Sequence, residues 1–398
     1  MTVLYFADTR FPIERANGLQ TMATCHAMAE RGHAVQLVVR PDTTVPARDP
    51  FDFYGLSRVP GLSIQTLPVR GGAQTRRAQY LLQAAAVAVR HKGVIFTRDL
   101  GLAAFLLQWP SWRRPRVIYE SHGIAPVVAA EMPMLLGNAA LAASPAKLAR
   151  LDRRERRVWR RAAAYITITR ALADELSLRY GTRTNVYVVP DGAREPTGPS
   201  AMPDDVPSEE GALANGIVGY AGHLYPWKGV DVLLRAVAST PTLRALIVGG
   251  HPAEPDALRV RQLAGALGVQ DRVEFTGQVP SGEVMAQLLR ASVLVLPNTA
   301  SAVSERYTSP LKLFEYLAAG RPIVASDFPA IREVLTADIS ALLVPAGDAT
   351  ALAEALMRIT SDPALARRLA CASRALAPEY TWAARARRLD VPLQAAVR

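Results

Sequence analysis

Short apolar runs rich in β-branched residues alternate along the chain with longer, alanine-rich stretches whose apolar positions recur at helical spacing. Such switching between a two-residue and a 3.6-residue period predicts strands and helices in turn around parallel sheets. In the first half the strand-like runs fall at residues 3–7, 34–39, 93–97, 116–120, 165–169 and 186–189. In the second they fall at 216–221, 245–248, 273–276, 293–296, 322–325 and 340–344. A helix predicted over 19–31 ends at Gly32, a residue suited to a C-terminal cap. Residues 192–216 break the pattern with Pro, Gly, Ser and acidic residues in no period, which predicts a linker. The expected organisation is one doubly wound α/β domain over 1–192, a linker over 193–215, a second such domain over 216–378, and a C-terminal helix over 379–398 crossing back to the first domain.

Length supports two cores. The chain has 398 residues, whereas a single core stops growing at a few hundred. Half of the residues are hydrophobic and a fifth are charged, a composition that excludes disorder and a disulfide-stapled scaffold. Cys25 and Cys371 lie far apart, without metal-ligand or redox spacing, and read as reduced thiols of a cytoplasmic protein. The short run Val3-Leu4-Tyr5-Phe6 meets Asp8 and Arg10 too soon for a signal peptide, and no apolar stretch approaches the ~20 residues of a membrane span.

The net charge of +11 is unevenly placed: residues 1–200 hold 27 basic and 15 acidic side chains, residues 201–398 hold 19 and 20. Only four of the basic residues are lysine: Lys92, Lys147, Lys228 and Lys312. The densest cluster, 147–161, carries eight basic residues, with Leu148, Leu151, Val158, Trp159 and Ala162 on one helical face. It reads as a solvated helix whose apolar stripe packs on the sheet, as a peripheral contact with an anionic membrane or lipid-linked acceptor, or as a contact for a soluble anionic acceptor. No aromatic interleaving or motif points to nucleic acid.

Two segments bear chemistry. In 309–322, Ser309 suits an N-cap, Pro310 the first helical position and Gly320 the C-terminal cap. The N-terminus of that helix, with Lys312 in its first turn, suits a phosphate. Glu315 lies ~7.5 Å further along the axis, about the span from a diphosphate to its ribose, whose hydroxyls a carboxylate can accept. In 219–231, a strand breaks at Gly219 and Gly222 and opens a helix after Lys228-Gly229, where an open α/β sheet places its ligand. The plainer reading leaves both lysines and Glu315 solvating ordinary turns.

These residues resemble the retaining, nucleotide-sugar-dependent glycosyltransferases of family 4, which have the GT-B fold, two Rossmann-like doubly wound domains facing across a cleft. Residues 222–234 are similar to that family's G-[RK]-L-x-x-x-K-G-x-D-x-L-L segment, 246–250 to I-V-G-x-G, 273–279 to V-x-F-x-G-x-V, and 312–326 to its E-A-x-A-x-G-x-P-V-V-A-S stretch. Asn17-Gly18 and Arg31-Gly32-His33-Ala34-Val35 resemble its Gly-Gly loop and R-G-H-x-V. The resemblance implies that Lys228 and His223 hold the donor diphosphate, with Gly222 and Gly249 in the glycine turns and Val279 beside the base. It implies that Ser309, Pro310, Leu311 and Lys312 cap the distal phosphate, that Glu315 binds the ribose, and that Gly18 lets the N-terminal loop approach. His122, in Tyr119-Glu120-Ser121-His122-Gly123, would be the active-site histidine, and Asn17 would join it on the acceptor side.

One departure stands out. The family's second acid, eight residues before Glu315, is Tyr307 here, and Glu305 is two residues out of register. Either Glu305 supplies that catalytic carboxylate through a shifted loop, or the chain works without it, or it is catalytically weakened. No D-x-D occurs, and lysines with a helix N-terminus can stabilise a departing nucleoside diphosphate. The expectation is therefore hexosyl transfer to a hydroxyl acceptor with no metal and no other cofactor. The alternatives are a GT-B nucleotide-sugar epimerase or phosphorylase, or a nucleotide-sugar-binding module.

Overall fold

The structure, a computed structural model, describes residues 1–195, 216–251, 254–280 and 282–397. Most of the expected linker, 196–215, lies outside the described residues. The chain divides into two compact units: Met1–Val127 with Ala143–Asp191 and Trp382–Arg398, and Val128–Ala142 with Gly192–Thr381.

The first unit holds a seven-stranded sheet of β1 (Thr2–Arg10), β2 (Ala34–Arg40), β3 (Leu62–Thr66), β4 (Val94–Thr97), β5 (Val117–Ser121), β6 (Ala164–Thr167) and β7 (Val186–Val188), in the order β3-β2-β1-β4-β5-β6-β7. The second holds β8 (Ile217–Ala221), β9 (Arg244–Val248), β10 (Val273–Gly277), β11 (Val293–Leu296), β12 (Ile323–Ser326) and β13 (Leu342–Val344), in the order β10-β9-β8-β11-β12-β13. All pairings between these strands are parallel. Helices cover both faces of a parallel sheet, so its central strands are apolar throughout. Val3 to Phe6 and all of β4 and β11 are accordingly buried. Each order reverses once, between β1 and β4 and between β8 and β11, and a crevice opens there at the carboxyl ends of the strands.

Twelve of these strands coincide with expected runs. The other, β3, falls outside them: Leu62-Ser63-Ile64-Gln65-Thr66 is a half-buried edge strand, in which polar side chains interrupt the apolar signal. The first helix spans Ala16–Glu30 rather than 19–31, because the Gly18 N–H already closes on the Arg15 carbonyl at 2.9 Å. Asn17 and Gly18 therefore sit inside its first turn instead of in a preceding loop. The helix Trp382–Ala395 lies in the first unit, packed on Ala16–Glu30. In the helix Pro145–Arg161, Val158 and Trp159 are buried, the Trp159 indole N–H donating to the Gly181 carbonyl at 2.8 Å, while Arg150, Arg153, Arg156 and Arg160 are exposed. Cys25 is buried and Cys371 exposed, both free. Among the described residues no helix is long and apolar enough to cross a membrane.

Candidate functional site

In the second unit the glycines after β8, β9 and β10 form a bare platform at the carboxyl edge of the sheet. The Gly222 N–H donates to the Val248 carbonyl, that of Gly250 to Gly222, and that of Gly249 to Gly277. Gly222 has φ +133° and Gly249 φ +113°, and a β-carbon on Gly249 would lie 2.5 Å from the Gly222 oxygen. Only glycine adopts these angles at so close a backbone approach. A β-carbon on Gly222 would in turn lie 2.4 Å from Lys312 Nζ, so the lysine's ammonium sits directly over this platform.

The helix that carries Lys312 spans Leu311–Ala319. Leu313, Phe314, Tyr316 and Leu317 anchor it, and the Tyr316 hydroxyl accepts from the Ala221 N–H at 2.9 Å, tying the helix to the end of β8. The expected caps need one correction. Gly320 takes the left-handed C-cap (φ 62°), but the N-cap is Pro310, not Ser309, because Pro310 adopts an extended backbone (φ −75°, ψ 120°) and leaves the helix to begin at Leu311. Proline has no N–H to offer an anion, so any phosphate contact falls to the first N–H groups of the helix. Those of Leu311 and Lys312 are unpaired among the described residues.

Lys312 Nζ donates to the Tyr220 hydroxyl at 2.9 Å and stands 4.1 Å from that ring's centroid. Burial, and then the neighbouring Lys228, push its ammonium well below the ordinary lysine range. Lys228 ends the turn Pro226–Lys228, its Nζ 3.4 Å from the centroid of Trp227. Its ammonium has no hydrogen bond or carboxylate partner among the described residues, and burial lowers its pKa to about 7. The His223 ring stacks on Tyr225 and bonds through Nδ1 to Glu254; burial, Lys312 and Lys228 depress it against the pull of that carboxylate. Glu315 lies one turn beyond Lys312 on the same helix face. Burial raises it to about 7, opposed by Lys312 and Arg194, and its carboxylate accepts no hydrogen bond among the described residues. Lys312 thus lies over the glycine platform, with Lys228 and His223 within electrostatic reach of it and Glu315 one turn further along its helix.

Val279 packs, partly buried, against the core cluster to which Leu313 and Phe314 belong. Glu305 is not joined to this field. It lies on the short helix Ala302–Arg306, whose first N–H groups are held by both oxygens of Glu131 at 3.0 and 3.2 Å, and it is not among the charges acting on Lys228, Lys312 or Glu315. Tyr307 is 2% exposed, so a buried ring stands where the resemblance implied an acid.

In the first unit, His122 follows β5, and Arg98 follows β4 at the reversal of strand order. The His122 Nε2–H donates to Glu120 Oε1 at 2.6 Å. Burial and the Arg98 guanidinium lower its pKa, while Glu120 and Asp191 raise it. Gln20 bridges Arg98 and Glu120, and Arg385 grips the other Glu120 oxygen. Among the described residues Glu120, His122 and Asp191 bring ligand atoms within 4.8 Å of one another, but the Arg385 guanidinium already bridges the two carboxylates. Gly18 is required by packing in its own unit: a β-carbon there would lie 2.3 Å from the Tyr54 hydroxyl and 2.5 Å from Ile13 Cγ2. Asn17 is exposed beside it.

Sequence reasoning missed Tyr220, Glu254, Glu131, Gln20, Glu120 and Arg385. For Glu120 the signal was present, since a carboxylate inside an otherwise apolar strand of a parallel sheet requires a buried partner.

Residues 18–192 match the family described as glycosyl transferase 4-like domain, and residues 215–362 the family described as glycosyl transferases group 1. The D-inositol 3-phosphate glycosyltransferase of Xylanimonas cellulosilytica is 30% identical over 246 residues, covering 59% of this chain and 58% of that protein. The phosphatidyl-myo-inositol mannosyltransferase of Mycobacterium leprae is 34% identical over 161 residues, 39% of this chain and 40% of that protein. The chain thus spans less than two thirds of the length of these curated relatives. Among solved structures, that of Anabaena HepE in complex with UDP and glucose is similar with a TM-score of 0.74 at 17% identity, covering 98% of this chain and 99% of that one. The chain belongs to the group 1 glycosyltransferases and has the GT-B fold.

Proposed function

We propose that this protein transfers a hexosyl group from a nucleoside diphosphate sugar to a hydroxyl acceptor, with retention of anomeric configuration and without a metal. The observation that carries the reading is the pair formed by Lys312, over the Gly222 platform, and Lys228, within electrostatic reach of it, a concentration of positive charge with no ion-paired carboxylate among the described residues. A diphosphate supplies the missing negative charge, and charge growing on that diphosphate as the glycosidic bond breaks is what such a site stabilises. Glu315, with empty acceptor capacity, fits the ribose, and His122 lines the acceptor side. The names of the relatives and a fold neighbour crystallised with UDP and glucose support a donor of this class. The inositol-containing acceptors in those names are one candidate class for the acceptor here.

The test is release of nucleoside diphosphate from uridine, guanosine and adenosine diphosphate sugars, with and without acceptor pools and in the presence of chelator. Acceptor-dependent release that survives chelation is the expected result. Donor binding without turnover against any acceptor would instead identify a binding module, the reading that Tyr307 favours.

Donor affinity should be greatest near neutral pH. Above about 7 the free protein's Lys228 is neutral, so binding a diphosphate must take up a proton, and Kd rises towards tenfold per pH unit. Below about 7 Glu315 is protonated and loses its strength as an acceptor for the ribose hydroxyls, so Kd rises again. Calorimetric titrations at pH 6, 7, 8 and 9, in two buffers of different ionisation enthalpy, measure both limbs, and net proton uptake at pH 8 identifies the lysine.

A further inference from the structure

Glu120 is completely buried in β5, and its two carboxylate oxygens face different partners. Oε1 accepts from His122 Nε2 at 2.6 Å and Gln20 Nε2 at 2.8 Å, and Oε2 from Arg385 Nη2 at 2.5 Å. Arg385 lies 265 residues further on, in the C-terminal helix, and is 1% exposed. The rest of its guanidinium is committed to the chain around it: Nη1 to the carbonyls of Val189 and Pro190 at 2.9 and 2.8 Å, and Nε to Thr24 Oγ1 at 3.0 Å. Asp191 stands 3.5 Å from Nη1. Five contacts on a planar fork leave it one orientation, and that orientation fixes the carboxylate.

The consequence reaches His122. Because Oε1 belongs to an ionised carboxylate, it can only accept, so the proton of the neutral ring resides on Nε2. Nδ1 makes no hydrogen bond among the described residues and keeps its lone pair. We propose that Arg385 is a positioning residue of the active site: by orienting and neutralising Glu120, it holds His122 in the neutral Nε2–H tautomer with Nδ1 open to the acceptor side. The C-terminal helix is then a working part of the site as well as a brace on Ala16–Glu30.

The charge balance around the ring agrees. Facing the pair are Arg98, whose Nε is 3.9 Å from Glu120 Oε1, Asp191, Arg385, and the buried Tyr5 and Cys25, both raised by burial and by Glu120 and so uncharged. Removing Arg385 leaves the Glu120 charge to be shared by Arg98 and His122 alone, which favours uptake of a proton on Nδ1 and loss of the open lone pair.

The inference rests on the reading of His122 as an active-site group, so the experiment separates the two. The His122 imidazole is titrated by NMR in the full-length wild type and in R385K, R385M, E120Q and R385M/E120Q, and kcat and KM are followed over the same pH range with H122A alongside. R385M should raise the His122 pKa by about one unit or more and move the acid limb of kcat upward with it. It should lower kcat at pH 7 by roughly tenfold or more with donor KM unchanged. R385K, which keeps the charge without the fork, should recover part of each change. In the E120Q background the further change to Met should have no effect on the ring, because the link is already cut. Should R385M fail to fold, R385K and E120Q decide: a His122 titration in R385K identical to wild type overturns the proposal. Full activity of H122A overturns the reading of His122 instead, while leaving the NMR coupling to be seen or not seen on its own.

Discussion

Lys228→Ala is expected to lower kcat/KM by about 10²–10³-fold while leaving the ligand-free protein as stable as before or more so. Both halves follow from the same contacts. Lys228 has a ring face on one side, Lys312 within electrostatic reach, and no carboxylate partner among the described residues. In the ligand-free protein its charge is a liability. Burial takes its pKa from an ordinary 10.5 to about 7 in the folded state. The penalty therefore develops as pH falls through the upper of these values and is complete below the lower. Alanine removes that penalty, and the ligand-free Tm at pH 6.5 should not fall. The stabilisation given by saturating donor should shrink sharply, since the charge that the diphosphate met is gone. Lys228→Arg should rescue poorly, because a planar guanidinium cannot take the place of a compact ammonium that sits 3.4 Å from the Trp227 centroid. Thermal shifts with and without a nucleoside diphosphate sugar, beside initial rates, test this. A K228A protein that is destabilised alone yet fully active would show Lys228 to be structural.

Much of this site was legible because its residues obey local rules. Gly320 and Gly222 announce left-handed or otherwise forbidden backbone, and Lys228 and Lys312 stand out where arginine is the habitual cation. Lys312 and Glu315 share a helix face by spacing alone. What stays hidden in the sequence depends on partners far away in the chain. Nothing near Arg385 hints that its guanidinium ends on Glu120, or that Glu131 caps the helix Ala302–Arg306. Ser309 loses the N-cap for a local reason, since both it and Pro310 satisfy helix-start rules and only the observed ψ of 120° at Pro310 decides between them. β3 is hard to read because an edge strand can keep one face polar without cost.

Gly229→Ala is expected to destabilise the second unit by more than about 4 kcal/mol, a Tm loss of roughly 8–16 °C. The K-G pair of the sequence motif finds its physical reason here. Gly229 has φ 71° and serves as N-cap of the helix Val230–Ala238. That left-handed conformation costs a non-glycine residue about 1–2 kcal/mol. A β-carbon there would also lie 1.7 Å from the Pro297 carbonyl oxygen, a backbone atom with nowhere to retreat. Pro297 follows β11, so this contact seals the loop after β8 against the loop after β11 where the strand order reverses. The Thr299 N–H reinforces the seal by donating to the Trp227 carbonyl at 3.0 Å. To admit a methyl group the two loops must part, which displaces Trp227 and Lys228 relative to Lys312, so donor binding should be lost together with stability. Gly265→Ala is the control. It sits inside the helix Pro255–Ala266 with nothing within 4 Å of its added carbon. That change should be neutral or stabilising by about 0.5–1 kcal/mol. If G229A melted with G265A and still bound donor, the seal between the β8 and β11 loops would not be what holds Lys228 in place.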